Sequence, residues 1–126
     1  MDNNNKKILI IEDEPAELFV LKKMLNEAGF QVLTANDGQI GLESIKKYLP
    51  DLVLLDIILP KINGFDILGL AKKDPEIMNI PIVVLTNLSD EESAYKSKTL
   101  GAVDYLVKTK IYSHNIVKKI KHILKI

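Results

Sequence analysis

Cysteine is absent from the 126 residues, which excludes disulfides, thiol nucleophiles and thiolate metal sites in one step. Arginine is absent as well. All 17 basic residues are lysines, so no side chain offers the planar fork that grips carboxylates and phosphates two atoms at a time. Any phosphate chemistry must use lysine, metal or backbone. Histidine is scarce: His114 and His122 are too few for a histidine metal cage. A charge excess is missing too, with 17 basic residues against 17 acidic ones. That balance weighs against a nucleic-acid binder, which needs surplus cations to displace phosphate counterions. No apolar run approaches the roughly 18 residues of a membrane span, and the polar start from Met1 to Lys7 lacks the flanks of a secretory signal. These absences lead us to expect a cytoplasmic protein with no membrane partner and no direct nucleic-acid partner.

What is present is ordinary for a globular domain. The chain is 47% hydrophobic and 27% charged, and its length suits a single core that hides about two-thirds of the unfolded surface. Ile8-Leu9-Ile10-Ile11 is a branched apolar run that ends in Glu12-Asp13-Glu14, the pattern of a strand buried on both faces. Pro15 suits a first helical turn, and Leu18, Leu21, Leu25 and Ala28 keep helical spacing until Gly29 stops them. Phe30 to Ala35 predicts a second strand. Asn36-Asp37-Gly38 is a turn with a capping residue, and Ile40, Leu42, Ile45 and Leu49 form the stripe of a second helix. Leu52 to Leu55 is a third strand running into Asp56. After the loop from Pro60 to Gly64, Ile67, Leu68 and Ala71 mark a helix broken near Asp74-Pro75. Pro81 to Leu85 predicts a fourth strand, and Ser89 with Glu92 has the spacing of a capping box for a fourth helix. Val103 to Val107 is the fifth strand, and Ser113 can cap a last helix with the stripe Ile116, Ile120, Ile123 and Leu124.

Five strand–helix pairs in strict alternation, with strands apolar on both faces, predict an α/β domain. Its parallel sheet is covered by helices on both sides. Ligands of such sheets bind at the carboxyl ends of the strands, and those ends carry Glu12 and Asp13, Asp56, Thr86 and Lys108. One such residue would be no more than a cap or a solvated loop residue; all of them together point to chemistry. Three carboxylates at one edge repel one another unless a cation intervenes, and an all-oxygen donor set suits Mg²⁺ or Mn²⁺. Asp56 arrives alone, from the predicted middle strand. A carboxylate can attack phosphorus in line, with the metal and Lys108 offsetting charge and Thr86 donating to a phosphoryl oxygen.

These residues sit in ILIIEDEP, PDLVLLDIILPKINGFDIL, IPIVVLTN and GAVDYLVK, and in that order the sequence resembles the receiver domains of two-component response regulators, from Lys7 to about Leu124. The resemblance implies a doubly wound, flavodoxin-like fold with strand order 2-1-3-4-5, filled by one domain over residues 1–126. It implies a phosphoacceptor at Asp56 and a Mg²⁺ site made by Glu12, Asp13, Asp56 and the backbone carbonyl of Ile58, with Mn²⁺ as a substitute. It places the switch hydroxyl at Thr86, the switch aromatic at Tyr105 and the phosphate-pairing lysine at Lys108. The implied donor is a histidine kinase or phosphotransfer protein. The implied output is a downstream protein on the face of the fourth helix, fifth strand and fifth helix, by a monomer or a phosphorylation-dependent dimer. Such a module is no enzyme apart from catalysing its own phosphorylation and dephosphorylation. With no room for an output domain, we expect a stand-alone receiver.

The pattern departs from the family in places. Glu12 stands where aspartate is commoner. Thr109 follows Lys108 where a cis-proline is usual, and a cis bond to threonine would cost about 2.5 to 4 kcal/mol. Asn87 follows the switch threonine where a very small residue is preferred. The positions that tune dephosphorylation fall on Ile58 and Leu88, neither of which can hydrogen-bond an attacking water, so slow self-dephosphorylation is expected. Gly64 reads as a loop glycine needing unusual backbone angles, and His114 and His122 as surface residues. A flavodoxin is disfavoured because its flavin phosphate would meet an acidic first loop. An aspartate-nucleophile phosphatase would want a second acid where Ile58 stands. The remaining alternative is a receiver fold that serves as an interaction module without phosphorylation.

Overall fold

A computed structural model describes residues 5–108 and 115–126 of the chain. Thr109, Lys110, Ser113 and His114 lie outside the described residues, and with them the expected cap of the last helix and the Lys108–Thr109 bond. The elements alternate without exception: β1 (Lys7–Ile11), α1 (Pro15–Glu27), β2 (Gln31–Ala35), α2 (Gly38–Tyr48), β3 (Leu52–Leu55), α3 (Gly64–Lys73), β4 (Ile82–Thr86), α4 (Glu91–Thr99), β5 (Asp104–Val107) and α5 (Asn115–Leu124). The strands form one parallel sheet in the order β2-β1-β3-β4-β5. This is the doubly wound architecture that the alternation predicts.

Because side chains alternate across a strand, each apolar run feeds two cores. Leu9, Ile11, Val53, Leu55, Ile82 and Val84 face Ile45 of α2 and Ile67, Leu68 and Ala71 of α3. Ile8, Ile10, Leu52, Leu54, Val83 and Leu85 face Leu21 and Leu25 of α1 and Ile116 and Ile120 of α5. The register holds both sets in rows, with Leu9 beside Val53 and Val53 beside Ile82. Burial on both faces is confined to β1, β3 and β4. The strands β2 and β5 lie at the sheet edges, and several of their residues are exposed or half-buried, a correction to the expectation that every strand is covered on both sides.

Three local readings change. Asp90, not Ser89, caps α4, with its side chain accepting from the Ser93 N–H at 2.9 Å. On α2, Ile40 is 43% exposed and Leu49 56%, while Gly38, Gly41 and Ser44 turn inward beside Ile45. The helix packs by its small residues, and a β-carbon on Gly41 would stand 2.8 Å from the Ile11 side chain. Gly64 has no left-handed backbone angle; it is needed for space, since a β-carbon there would lie 2.5 Å from the Asp56 carbonyl oxygen. Left-handed angles occur instead at Gly29 and Gly101 (φ 96° and 110°), where α1 and α4 give way to the next strands.

Candidate functional site

The carboxyl ends of β1, β3, β4 and β5 open into one cavity of about 430 Å³, whose lining includes Glu12, Asp13, Asp56, Thr86 and Lys108. The sheet itself delivers the two buried acids. Its last rungs run from the Glu12 N–H to the Ala35 carbonyl (3.0 Å) and from the Asp56 N–H to the Ile11 carbonyl (3.1 Å). Each carboxylate therefore leaves from a backbone position fixed on a neighbouring strand. Glu12, Asp56, Thr86 and Lys108 are all buried, whereas Asp13 is exposed at the rim. Carboxylate oxygens of Glu12, Asp13 and Asp56 lie within 4.8 Å of one another. Hard oxygen donors at that spacing fit a hexacoordinate divalent cation that keeps part of its water shell.

Lys108 accounts for most of the local electrostatics. Its Nζ donates to Glu12 Oε1 and, at 2.9 Å, to Asp56 Oδ2. Burial alone would lower the lysine's pKa, but the hydrogen bonds and charges of Glu12 and Asp56 outweigh it and hold the ammonium above its ordinary value. Glu12 is pushed the other way for a carboxyl group: burial raises its pKa, the charge of Asp56 adds to that, and the bonds from Lys108 and from the Glu14 N–H (3.0 Å) offset it only in part. The two directions agree physically. Two buried carboxylates share one ammonium, so the cation is over-compensated and the anions are under-compensated. A further positive charge at this spot would be well placed.

Thr86 is fully buried, and its Oγ1 accepts from the Leu88 N–H at 3.5 Å. Tyr105 is half-buried, and its hydroxyl donates to the Leu88 carbonyl at 2.6 Å. Burial raises the phenol's pKa, with the charges of Asp90 and Asp56 adding to it, so it stays a donor at neutral pH. Neither Tyr105 nor Leu88 lines the cavity; they lie behind it, and the main chain of Leu88 joins Tyr105 to Thr86. Ile58 is 61% exposed and stands at the mouth with Asn87. Its N–H points to Asp56 Oδ1 at 3.4 Å. His122 is exposed on α5 and is not part of the cavity lining.

Sequence reasoning missed two contributors. Glu14 caps α1 by accepting from the Ala16 N–H at 2.8 Å, and with Glu17 it extends the acidic lining of the cavity. Its signal is visible in Glu14-Pro15, a capping residue before a helix-starting proline. The other is the main chain of Leu88, which no side-chain pattern could reveal.

Comparison with known proteins adds kinship to this geometry. The sequence profile of the response regulator receiver domain matches residues 8–121. The protein PilH of Pseudomonas aeruginosa is 36% identical over 118 residues, covering 94% of this chain and 97% of that protein. Several other curated relatives are longer, and the chain spans between 28% and 44% of their length. Among solved structures, the BeF3-activated receiver domain of Klebsiella pneumoniae RstA superposes with a TM-score of 0.89 at 29% identity, covering 96% of this chain and all of that one. The Mn²⁺-bound form of the response regulator Rcp1 superposes with a TM-score of 0.76 at 29% identity, covering 95% and 90%. Among the described residues no helix is long and apolar enough to cross a membrane.

Proposed function

The chain belongs to the response regulator receiver domain family, the signalling modules of two-component systems, and from that premise we propose that it works by phosphorylation of Asp56. The observation that carries the reading is the convergence of Glu12, Asp13, Asp56, Thr86 and Lys108 on one cavity, with Asp56 already tethered to the Lys108 ammonium. An Asp56 oxygen attacks the phosphorus of a phosphohistidine in line. The new P–O bond forms as the P–N bond breaks, and the imidazole leaves with a proton. Lys108 balances charge on the transferred group, and Thr86 gives up its contact with the Leu88 N–H to donate to a phosphoryl oxygen. Glu12, Asp13, Asp56 and the Ile58 carbonyl would hold Mg²⁺ or Mn²⁺, which when bound supplies positive charge beside the phosphoryl oxygens. The donor is a histidine kinase or phosphotransfer protein.

The signal leaves the site through Leu88. Movement of Thr86 frees the Leu88 N–H, and the Leu88 carbonyl is the anchor of Tyr105, so the aromatic turns inward and the face of α4, β5 and α5 changes its affinity for a downstream protein. On this reading residues 1–126 act as one receiver, as a monomer or as a dimer formed on phosphorylation. Incubation with Mg²⁺ and phosphoramidate, followed by intact-mass measurement, should show one added phosphoryl group on the parent and none on Asp56→Asn. An unmodified parent would favour a receiver fold that binds partners without phosphorylation.

A further inference from the structure

The loop from Asp56 to Asn63 bears the Ile58 carbonyl, and its course is not one that a free chain would keep. Lys61 has φ 74°, a left-handed angle that costs a side-chain-bearing residue free energy unless its surroundings impose it. The near end is seated on Gly64, whose N–H donates to the Ile57 carbonyl at 2.8 Å. The far bend is seated on another element altogether. The N–H of Gly38, the first residue of α2, donates to the Pro60 carbonyl at 3.0 Å, and Pro60 in turn accepts from the Ile62 N–H at 2.9 Å. The fit is backbone against backbone: a β-carbon on Gly38 would lie 1.7 Å from the Ile62 carbonyl oxygen and 2.6 Å from its carbon. No rotamer change can relieve such an overlap, so either the loop or the start of α2 would have to move.

We infer that Gly38 is a positioning residue for the metal site, acting through the strained β3–α3 loop to aim the Ile58 carbonyl. The inference rests on the reading that this carbonyl is a metal ligand. Gly38 lies neither in the cavity lining nor among the carboxylates, and its effect passes through the peptides of Pro60 to Ile62. Asp37 provides the contrast. It caps the same helix by accepting from the Ile40 N–H at 2.8 Å, so its loss weakens α2 and leaves the loop's seat in place.

Calorimetric titration with Mg²⁺ alone tests this. Gly38→Ala should bind about 10- to 100-fold more weakly than the parent, the range for lost support of a metal ligand, while Asp37→Ala keeps the parental affinity despite its lower melting temperature. Equal affinity in Gly38→Ala and the parent overturns the inference and leaves the metal site intact. A parent that does not bind Mg²⁺ overturns both. If Gly38→Ala fails to fold, amide exchange in the parent decides: with Mg²⁺ about 100-fold above its Kd, the Gly38 N–H should exchange about tenfold more slowly or better, because opening of its bond to Pro60 is linked to loss of the ion. An unchanged rate overturns the proposal.

Discussion

At the scale of single residues, the site is governed by what surrounds each charge. A buried carboxylate pair facing one lysine leaves net negative charge where, on our reading, a phosphoryl group and a cation are received, and breaking such a pair costs about 3 to 5 kcal/mol because a charge is stranded. Substitution of Lys108 would therefore confuse stability with chemistry. Ile58 is a cleaner handle than either Lys108 or Leu88, whose side chain packs against the core and does not line the cavity. Ile58 stands exposed at the mouth, and an apolar side chain there can neither orient nor deprotonate a water aimed at the phosphorylated Asp56. Under our reading the phosphorylated form is long-lived. Ile58→Asn should shorten its lifetime several-fold, read as phosphate release over time after the donor is removed. Decay no faster than the parent's would show that the Ile58 side chain does not shield the bond.

At the scale of elements, α4 is the most weakly anchored helix among the described residues. Over Glu91–Thr99 its one buried residue is Ser97, whose hydroxyl has no hydrogen-bond partner among the described residues. A buried hydroxyl without a hydrogen bond costs about 1 to 3 kcal/mol, so Ser97→Ala should raise stability by about 1 kcal/mol, visible as a higher urea midpoint with an unchanged slope. A lower midpoint would show that the hydroxyl is satisfied after all. The start of α4 depends on pH. The Ser93 backbone N–H, with the Ser93 hydroxyl, holds the Asp90 carboxyl below its ordinary 3.8. The folded value lies below the unfolded one, so the ionised cap stabilises α4 above pH 3.8, and this is lost as the pH falls through the folded value. The Ser93 amide resonance should follow that titration in the parent. In Asp90→Asn, which keeps a capping oxygen without a titrating group, it should not. A helix held by its cap and by the Lys96 ammonium 4.4 Å from the centre of the Phe65 ring is suited to follow the movement of Tyr105 that we propose.

At the scale of the whole molecule, much was legible in the sequence because the sheet's interior and the site are written in one stretch of chain. Each central strand is an apolar run buried on both faces, and the residue after the run is the site residue: Glu12 after Ile11, Asp56 after Leu55. The alternation of elements then brings those ends to one edge. Other features are set by contacts that periodicity does not encode. Hydropathy assigned Ile40 and Leu49 to the inner face of α2, but the glycines let the backbone itself approach Ile11 and the Pro60 loop, and that turned the larger side chains outward. Two adjacent residues, Ser89 and Asp90, could each cap α4, and only the path of the chain out of β4 chose between them. The double engagement of Lys108 joins residues 96 and 52 positions apart. Length and neutral charge named none of this; they only bounded the fold within which it could happen.

The main chain of Leu88 reaches Thr86 through its N–H and Tyr105 through its carbonyl, which belong to two successive peptide groups, and every amino acid except proline would present the same N–H and the same carbonyl there. The Leu88 side chain takes no part in either bond and packs instead against the core on the α2 and α3 side of the sheet. On our reading, a substitution at position 88 that keeps this packing leaves the lever untouched, so that core and switch draw on separate atoms of one residue.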